Sequence, residues 1–324
     1  MDDRDLLAVE RLKKYFPVGR GFFRKASAQV RAVEDVNLVV RRGETIGLVG
    51  ESGCGKTTLG RCILRLEQPT EGKIYFEKED ILSYDRKAMR RLRRNMQIIF
   101  QDPYSSLNPR KTVGQIIGEG FLVHRMLSKK ERIERVKGLM QTVGLLPEQT
   151  NRYPHEFSGG QRQRISIARA LSLQPKLVIA DEPVSSLDVS IQAQILNLLV
   201  ELQRQFNLTY IFISHGLSVV RHLSDRVAVM YLGRIVELAG SRSLFSHPLH
   251  PYTEALMSAV PQTNPLRKKE RILLQGDVPS PINPPPGCSF HPRCRYRQAI
   301  CKETVPAMEE IEANHWVRCY FPRT

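Results

Sequence analysis

The chain has 324 residues, 41% of them hydrophobic and 25% charged, a balance that suits one large α/β domain with a smaller appendage. Its formal charge of +16 invites a nucleic-acid reading, but the basic residues are spread out and no aromatic–basic interleaving offers a stacking surface, so no nucleic-acid partner is expected. No apolar run approaches the roughly 20 residues that span a bilayer, and the acidic start Met1-Asp2-Asp3-Arg4-Asp5 does not read as a secretory signal.

In chain order, residues from Leu7 to Val49 alternate apolar and polar in short runs with Gly43 as a turn, which predicts a small β-rich layer. Thr45-Ile46-Gly47-Leu48-Val49 reads as a buried strand, Thr57 to Leu66 as a helix, and Gly72 to Phe76 as another strand. From about Lys87 to Leu173 the pattern is helical. Ser128-Lys129-Lys130-Glu131 makes a capping box, followed by Ile133, Val136, Leu139 and Met140 on one face. Pro175 closes the next helix, and Leu177-Val178-Ile179-Ala180 is a short buried strand. After Asp188, Ile191, Ile195, Leu198, Leu199 and Leu202 recur at helical spacing, and Thr209 to Ser214 is one more strand. Strands alternating with helices argue for a largely parallel core sheet. Beyond Ala259, Pro261, Pro265, Pro279, Pro281 and Pro284-Pro285-Pro286 predict a stiff connection, with four cysteines after it.

Three motifs carry chemistry. Gly50-Glu51-Ser52-Gly53-Cys54-Gly55-Lys56-Thr57 matches the phosphate-binding loop, between a strand and a helix as that motif requires. Its backbone N–H groups and the following helix N-terminus suit phosphate oxygens, Lys56 suits the β- and γ-phosphates, and the Thr57 hydroxyl suits Mg²⁺. The candidate ATP-binding set here is Gly50, Ser52, Gly53, Cys54, Gly55, Lys56, Thr57 and Thr58. Second, Asp181-Glu182 ends the buried strand from Leu177: Asp181 suits Mg²⁺, and Glu182 stands where a base could deprotonate the attacking water. Third, Ser158-Gly159-Gly160-Gln161 follows the loop by about one hundred positions. It is an S-x-x-Q capping box, yet two glycines in a first helical turn each cost up to about 1 kcal/mol relative to alanine. Close approach of the backbone to a phosphate would account for them.

Together these motifs resemble those of the ATP-binding cassette (ABC) ATPases, over residues from about 7 to 240. The resemblance implies an α/β fold, an ABC-type P-loop NTPase with a RecA-like core sheet, an antiparallel β-layer, a helical subdomain at about 87–173 and a small C-terminal Cys-containing extension at 241–324. It also implies that Gln101 in Ile98-Ile99-Phe100-Gln101-Asp102-Pro103 is the Q-loop glutamine, with a water- or metal-side contact. Asp188 in Ser186-Leu187-Asp188 is then the D-loop aspartate, and His215 the switch histidine on the γ-phosphate. Phe16, beside Tyr15, is the expected platform for adenine, although either ring could serve. Gly216 departs from the family pattern, in which an acidic residue commonly follows the switch histidine.

The extension narrows the resemblance. His247-Pro248-Leu249-His250-Pro251-Tyr252-Thr253, Gly276 to Pro281, Pro284 to Cys288, and Leu107-Asn108-Pro109-Arg110 resemble the dipeptide/oligopeptide importer ATPases. That implies an ATPase at the cytoplasmic face of the membrane, paired with a second, paralogous ATPase beneath two permease subunits and served by an extracytoplasmic peptide-binding protein. Nickel, opine and antimicrobial-peptide systems carry very similar ATPases. Cys54 and Cys62 read as small space-fillers. Cys288, Cys294, Cys301 and Cys319, with five, six and seventeen residues between them, could hold an iron–sulfur cluster or Zn²⁺, or stay free or disulfide-bonded. The resemblance favours a [4Fe–4S] cluster.

Overall fold

The computed structural model describes residues 2–18, 28–260 and 271–323; Pro261 and Pro265 lie outside them. Strands are β1 (Asp5–Val18), β2 (Ala28–Arg41), β3 (Thr45–Val49), β4 (Glu71–Phe76), β5 (Glu79–Asp80), β6 (Met96–Ile99), β7 (Leu177–Asp181), β8 (Thr209–Ile213), β9 (Arg226–Tyr231), β10 (Arg234–Gly240), β11 (Glu309–Glu312) and β12 (His315–Val317). Helices are α1 (Lys56–Ile63), α2 (Arg86–Leu92), α3 (Pro103–Ser106), α4 (Val113–His124), α5 (Lys129–Thr142), α6 (Gly159–Leu171), α7 (Val189–Phe206), α8 (Leu217–Leu223), α9 (Ser241–Ser246), α10 (Pro251–Ser258) and α11 (Ile300–Glu303). The described residues fall into two compact units. One draws on Met1–Val40, Thr45–Leu82 and Ser214–Thr324, the other on Arg41–Glu44 and Ser83–Ile213.

The first unit holds an antiparallel sheet ordered β2-β1-β4-β5 and a run of strands ordered β11-β12-β10-β9-β3. In the latter, β3 pairs parallel with β9, Ile46 opposite Arg226 through Val49 opposite Val229. All five residues of β3 are buried, as in a strand covered on both faces. Leu232 and Gly233, both at positive φ, turn the chain from β9 into the antiparallel β10. The C-terminal β12 then pairs with β10, Glu237 opposite Val317, and β11 pairs with β12. The last strands of the extension are thus built into the sheet that carries β3.

A buried carboxylate fixes that arrangement. Glu237 is 0% exposed. Its Oε1 accepts from the Leu249 N–H at 2.7 Å and its Oε2 from the His250 N–H at 3.0 Å, while His315 Nε2 lies 2.7 Å from Oε1. His250 in turn caps α10, its Nδ1 accepting from the Tyr252 N–H at 3.0 Å. Burial pulls the His250 pKa down to about 4, against the opposing pull of Glu237. As pH falls, an unfolded chain protonates His250 near 6.5, whereas the native imidazole stays neutral until about 4. Native stability held above pH 6.5 is therefore lost as pH falls toward 4, by an amount on the order of 3 kcal/mol. The thermal midpoint should drop over this window, and His250→Asn, which keeps a capping acceptor, should flatten that drop. An unchanged pH profile in the variant would remove His250 as the cause.

The second unit contains the parallel strands β6, β7 and β8, with Met96 opposite Leu177 and Leu177 opposite Thr209. Every residue of β7 and β8 is buried. Helices α4 and α5 pack on α6. Capping boxes start all three: Thr112 with Gln115, Ser128 with Glu131, and Ser158 with Gln161. The span from Lys87 to Leu173 is not wholly helical, because β6 interrupts it. Met96-Gln97-Ile98-Ile99 is a short run whose periodicity does not separate strand from helix, and its pairing with β7 decides the matter.

Candidate nucleotide site

Within the first unit, the loop Gly50–Gly55 joins β3 to α1. Gly55 has φ of +105°, and a Cβ there would fall 2.0 Å from the Ala32 carbonyl oxygen, so only glycine fits. Gly55 is also the N-cap of α1 and supplies no side-chain acceptor. The first-turn N–H groups of α1 therefore lack the cap that a Ser or Asp would give, which suits an anion at that end. Lys56 is buried, and its Nζ donates to the carbonyls of Gly50 at 2.8 Å and Glu51 at 3.0 Å. Ser52 and Gly53 are exposed, Cys54 is buried beneath the loop, and Thr57 and Thr58 are half-buried. Burial raises the Cys54 thiol pKa and pushes that of Cys62 up to about 12.

Two further predicted residues lie in this unit. Tyr15 and Phe16 are half-buried near the end of β1. The Tyr15 hydroxyl donates to Glu34 Oε2 at 2.8 Å, and burial followed by that bond pushes its pKa up to about 12. Phe16 carries Lys14 Nζ at 4.6 Å from its ring centroid. His215 is exposed between β8 and α8, and its neighbour Ser214 donates its N–H to the Leu48 carbonyl at 3.2 Å. Gly216 has an ordinary φ of −83°, and its N–H donates to Ser214 Oγ at 2.9 Å. Nothing in that backbone demands glycine.

The second unit gathers the other predicted residues. Asp181 is buried at the end of β7 and Glu182 follows it half-buried. Glu182 has φ of +46°, a left-handed conformation that costs a non-glycine residue about 1–3 kcal/mol. Its N–H donates to the Ile213 carbonyl at 2.9 Å, and Ser185 Oγ donates to its carbonyl at 3.1 Å. Gln101 Nε2 donates to Glu182 Oε2 at 2.9 Å. The fold thus places a carboxylate on a left-handed backbone and orients it with an amide, 81 residues apart in sequence. Asp181 and the Gln101 amide oxygen are hard oxygen donors, a chemistry that fits Mg²⁺.

Ser158 caps α6, its Oγ accepting from the Gln161 N–H at 3.3 Å while Gln161 Oε1 accepts from the Ser158 N–H at 3.0 Å. Gly160 has a reason inside the chain: a Cβ there would meet Ile191 Cγ2 at 2.6 Å. Gly159 has no such constraint, since its nearest neighbour, Leu187 Cδ2, would stand at an ordinary 3.5 Å. Asp188 caps α7, accepting from the Ile191 N–H at 3.0 Å, and these hydrogen bonds hold its carboxyl below the usual range. Ser158, Gly159 and Asp188 are exposed, as is the adjoining Val189 at 82%.

The cysteine expectation is corrected. Cys288, Cys294, Cys301 and Cys319 line one cavity, but its volume is about 10 Å³, room for about one water and none for a four-iron cluster. Burial raises the pKa of Cys288 and Cys294 and pushes that of Cys319 up to about 12. All four are free thiols. Among the described residues no group of three or more His, Cys, Asp or Glu side chains is placed to hold a metal ion. The iron–sulfur and metal-binding expectations for the extension therefore fall. The four cysteines pack as small apolar groups beside Phe290, Tyr320 and Phe321.

Residues 33–185 match the family model described as ABC transporter, and residues 236–301 match that of the oligopeptide/dipeptide transporter C-terminal region. The chain is 55% identical to the oligopeptide transport ATP-binding protein AppF of Bacillus subtilis, over 97% of both chains. It is 52% identical to the dipeptide transport ATP-binding protein DppF of Escherichia coli, over 97% of this chain and 94% of that one. Among solved structures, it resembles cbiO1 of Clostridium perfringens, part of an ABC transporter complex, with a TM-score of 0.64 and 30% identity over 75% of this chain and 91% of the other. It also resembles the ABC transporter cassette MJ0796, solved as a dimer, with a TM-score of 0.65 and 27% identity over 73% of this chain and 99% of that one. The same cassette has been solved bound to ADP and Pi in a post-hydrolysis state. A glycine loop opening a helix without a side-chain cap, a carboxylate on a left-handed backbone after a buried strand and near-full-length similarity converge, and the chain belongs to the ATP-binding, ATP-hydrolysing proteins of the ABC transporter family.

Proposed function

We propose that the chain is the ATP-hydrolysing subunit of an ABC importer of di- and oligopeptides, held at the cytoplasmic face of the cell membrane by permease subunits. Similarity to oligopeptide and dipeptide transport proteins over 97% of the chain carries this reading, because it continues past the ATPase core into the C-terminal region. We take residues 1–240 as the ATPase domain, with 87–173 as its helical subdomain, and 241–324 as the extension. No helix among the described residues is long and apolar enough to cross a membrane, so attachment falls to partners. Those partners are a second ABC ATPase, two permeases and an extracytoplasmic peptide-binding protein. Tyr104, 67% exposed within the stretch from Gln101 to Asn108, supports permease docking there.

In this reading the backbone of Gly50 to Thr58 and the Lys56 ammonium bind the phosphates of ATP. Phe16 stacks on adenine, a choice supported by the engagement of the neighbouring Tyr15 hydroxyl with Glu34. Thr57, Asp181 and Gln101 supply oxygen donors for Mg²⁺, which neutralises phosphate charge when bound. Glu182 takes the proton of the attacking water, Gln101 orients Glu182, and His215 contacts the γ-phosphate. Ser158 to Gln161 and Asp188 face the nucleotide of the partner ATPase, a reading supported by the exposure of Ser158, Gly159, Asp188 and Val189. In cells whose own gene is deleted, uptake of labelled di- and tripeptides should be lost. The wild-type chain should restore it and Lys56→Ala should not. Undiminished peptide uptake in the deletion strain would sink the substrate assignment.

A further inference from the structure

Glu51, the second residue of the phosphate-binding loop, is held by the far end of the chain. Its N–H donates to the Tyr252 hydroxyl at 2.9 Å, across 201 residues. Its carboxylate takes a two-pronged contact from Arg293, Nη1 to Oε2 at 2.7 Å and Nη2 to Oε1 at 3.1 Å, across 242 residues. Its carbonyl accepts from Lys56 Nζ at 3.0 Å and from the Cys54 N–H at 3.3 Å. One residue thus links the C-terminal region to the lysine expected to meet the phosphates.

Both holding groups are themselves fixed. Tyr252 is fully buried and the Arg293 side chain is 8% exposed, against 27% for Glu51. The Tyr252 ring lies 4.7 Å from that of Tyr231 and 5.4 Å from that of Phe290, and Tyr231 meets Phe290 edge-on at 5.3 Å. Tyr231 ends β9, so the cluster stands on the sheet that carries the loop. A bidentate guanidinium–carboxylate contact fixes direction as well as distance, and low exposure limits its screening by water.

Charge gives the contact its meaning. A triphosphate brings several negative charges to the loop, and Glu51 would add one more beside them. Arg293 balances that carboxylate and turns it into an anchor for the backbone of the loop. We propose that Arg293 and Tyr252 are positioning residues for the phosphate-binding loop, so that the C-terminal region sets the nucleotide affinity of this subunit. The proposal rests on the ATPase reading of the site and adds a role for a region outside the nucleotide motifs.

Binding of a fluorescent ATP analogue and of its ADP counterpart to the full-length chain tests it. Arg293→Gln should weaken ATP binding about tenfold, the scale of one charge-assisted contact, and ADP binding less, because repulsion by the unpaired Glu51 grows with phosphate charge. Adding Glu51→Gln to Arg293→Gln should restore much of the ATP affinity. Tyr252→Phe, which keeps the ring packing and removes only the hydroxyl, should weaken ATP and ADP binding by smaller and similar factors. Wild-type affinities in both Arg293→Gln and Tyr252→Phe would overturn the proposal. So would equal losses for ATP and ADP in Arg293→Gln that persist with Glu51→Gln, since those would mark a packing defect alone. A wild-type chain that binds no ATP would instead overturn the ATPase reading itself.

Discussion

Glu182→Gln is expected to bind ATP with near-normal affinity and to hydrolyse it about 10²–10⁴-fold more slowly, the usual worth of a general base. The substitution is informative because it changes so little else. A glutamine side chain still offers an oxygen to the Gln101 amide, so the 2.9 Å contact that aims the group can persist. The left-handed backbone at this position constrains glutamate and glutamine alike. What disappears is a carboxylate able to take a proton. The measurement is steady-state phosphate release alongside nucleotide affinity, first on the purified chain and then in the assembled transporter. A second ATPase with its own intact site can mask the loss in the assembly. Turnover of the purified variant within a few-fold of wild type would move the base elsewhere.

Loss of the Glu237 carboxylate should have the largest effect on stability. Glu237→Ala strands two backbone N–H groups, those of Leu249 and His250, and takes from His315 Nε2 its partner, all at buried positions. Each buried polar group left without its partner costs about 1–3 kcal/mol, so the loss comes to several kcal/mol. Thermal unfolding followed by circular dichroism should show a midpoint several degrees below wild type. A paired replacement, Glu237→Leu with His315→Leu, should recover only part of the loss. It removes the imidazole whose Nε2 lost its partner but leaves both N–H groups without an acceptor, at about 1–3 kcal/mol each. Coincident melting curves for Glu237→Ala and wild type would show that the network contributes little.

The nucleotide motifs were legible in the sequence because their chemistry requires residues next to one another. A loop that turns its N–H groups inward needs its glycines a few positions apart, and a carboxylate pair at a strand end needs a continuous apolar run before it. Contacts between distant segments left no such trace. Nothing near Glu51 announces Tyr252 or Arg293, and nothing near Glu182 announces that its backbone is left-handed. Phe16 was the expected adenine platform with Tyr15 as its alternative, and nothing in the sequence announced that Glu34 engages the tyrosine hydroxyl. The glycines after Ser158 suggested room for a phosphate. For Gly160 the nearer demand is Ile191, from the first turn of α7. The cysteine spacing misled for the same reason, since intervals along a chain do not report the space left between side chains once aromatic neighbours have packed in.

The pairing of β12 with β10 also bears on how the molecule behaves in a crowded solution. Without β11 and β12, the outer side of β10 would present free N–H and C=O groups to any passing strand, and the buried apolar residues Ile235, Val236, Leu238 and Ala239 around Glu237 suit such contacts. The chain closes that side with its own last strands. It then ends the sheet on Glu309-Glu310-Ile311-Glu312, four residues long and carrying three exposed glutamates. Two copies approaching along that strand would bring like charges face to face. The C-terminal strands therefore act as a guard against self-association, and a chain cut before Glu309 should aggregate through the uncovered flank of β10 even where its nucleotide loop is intact.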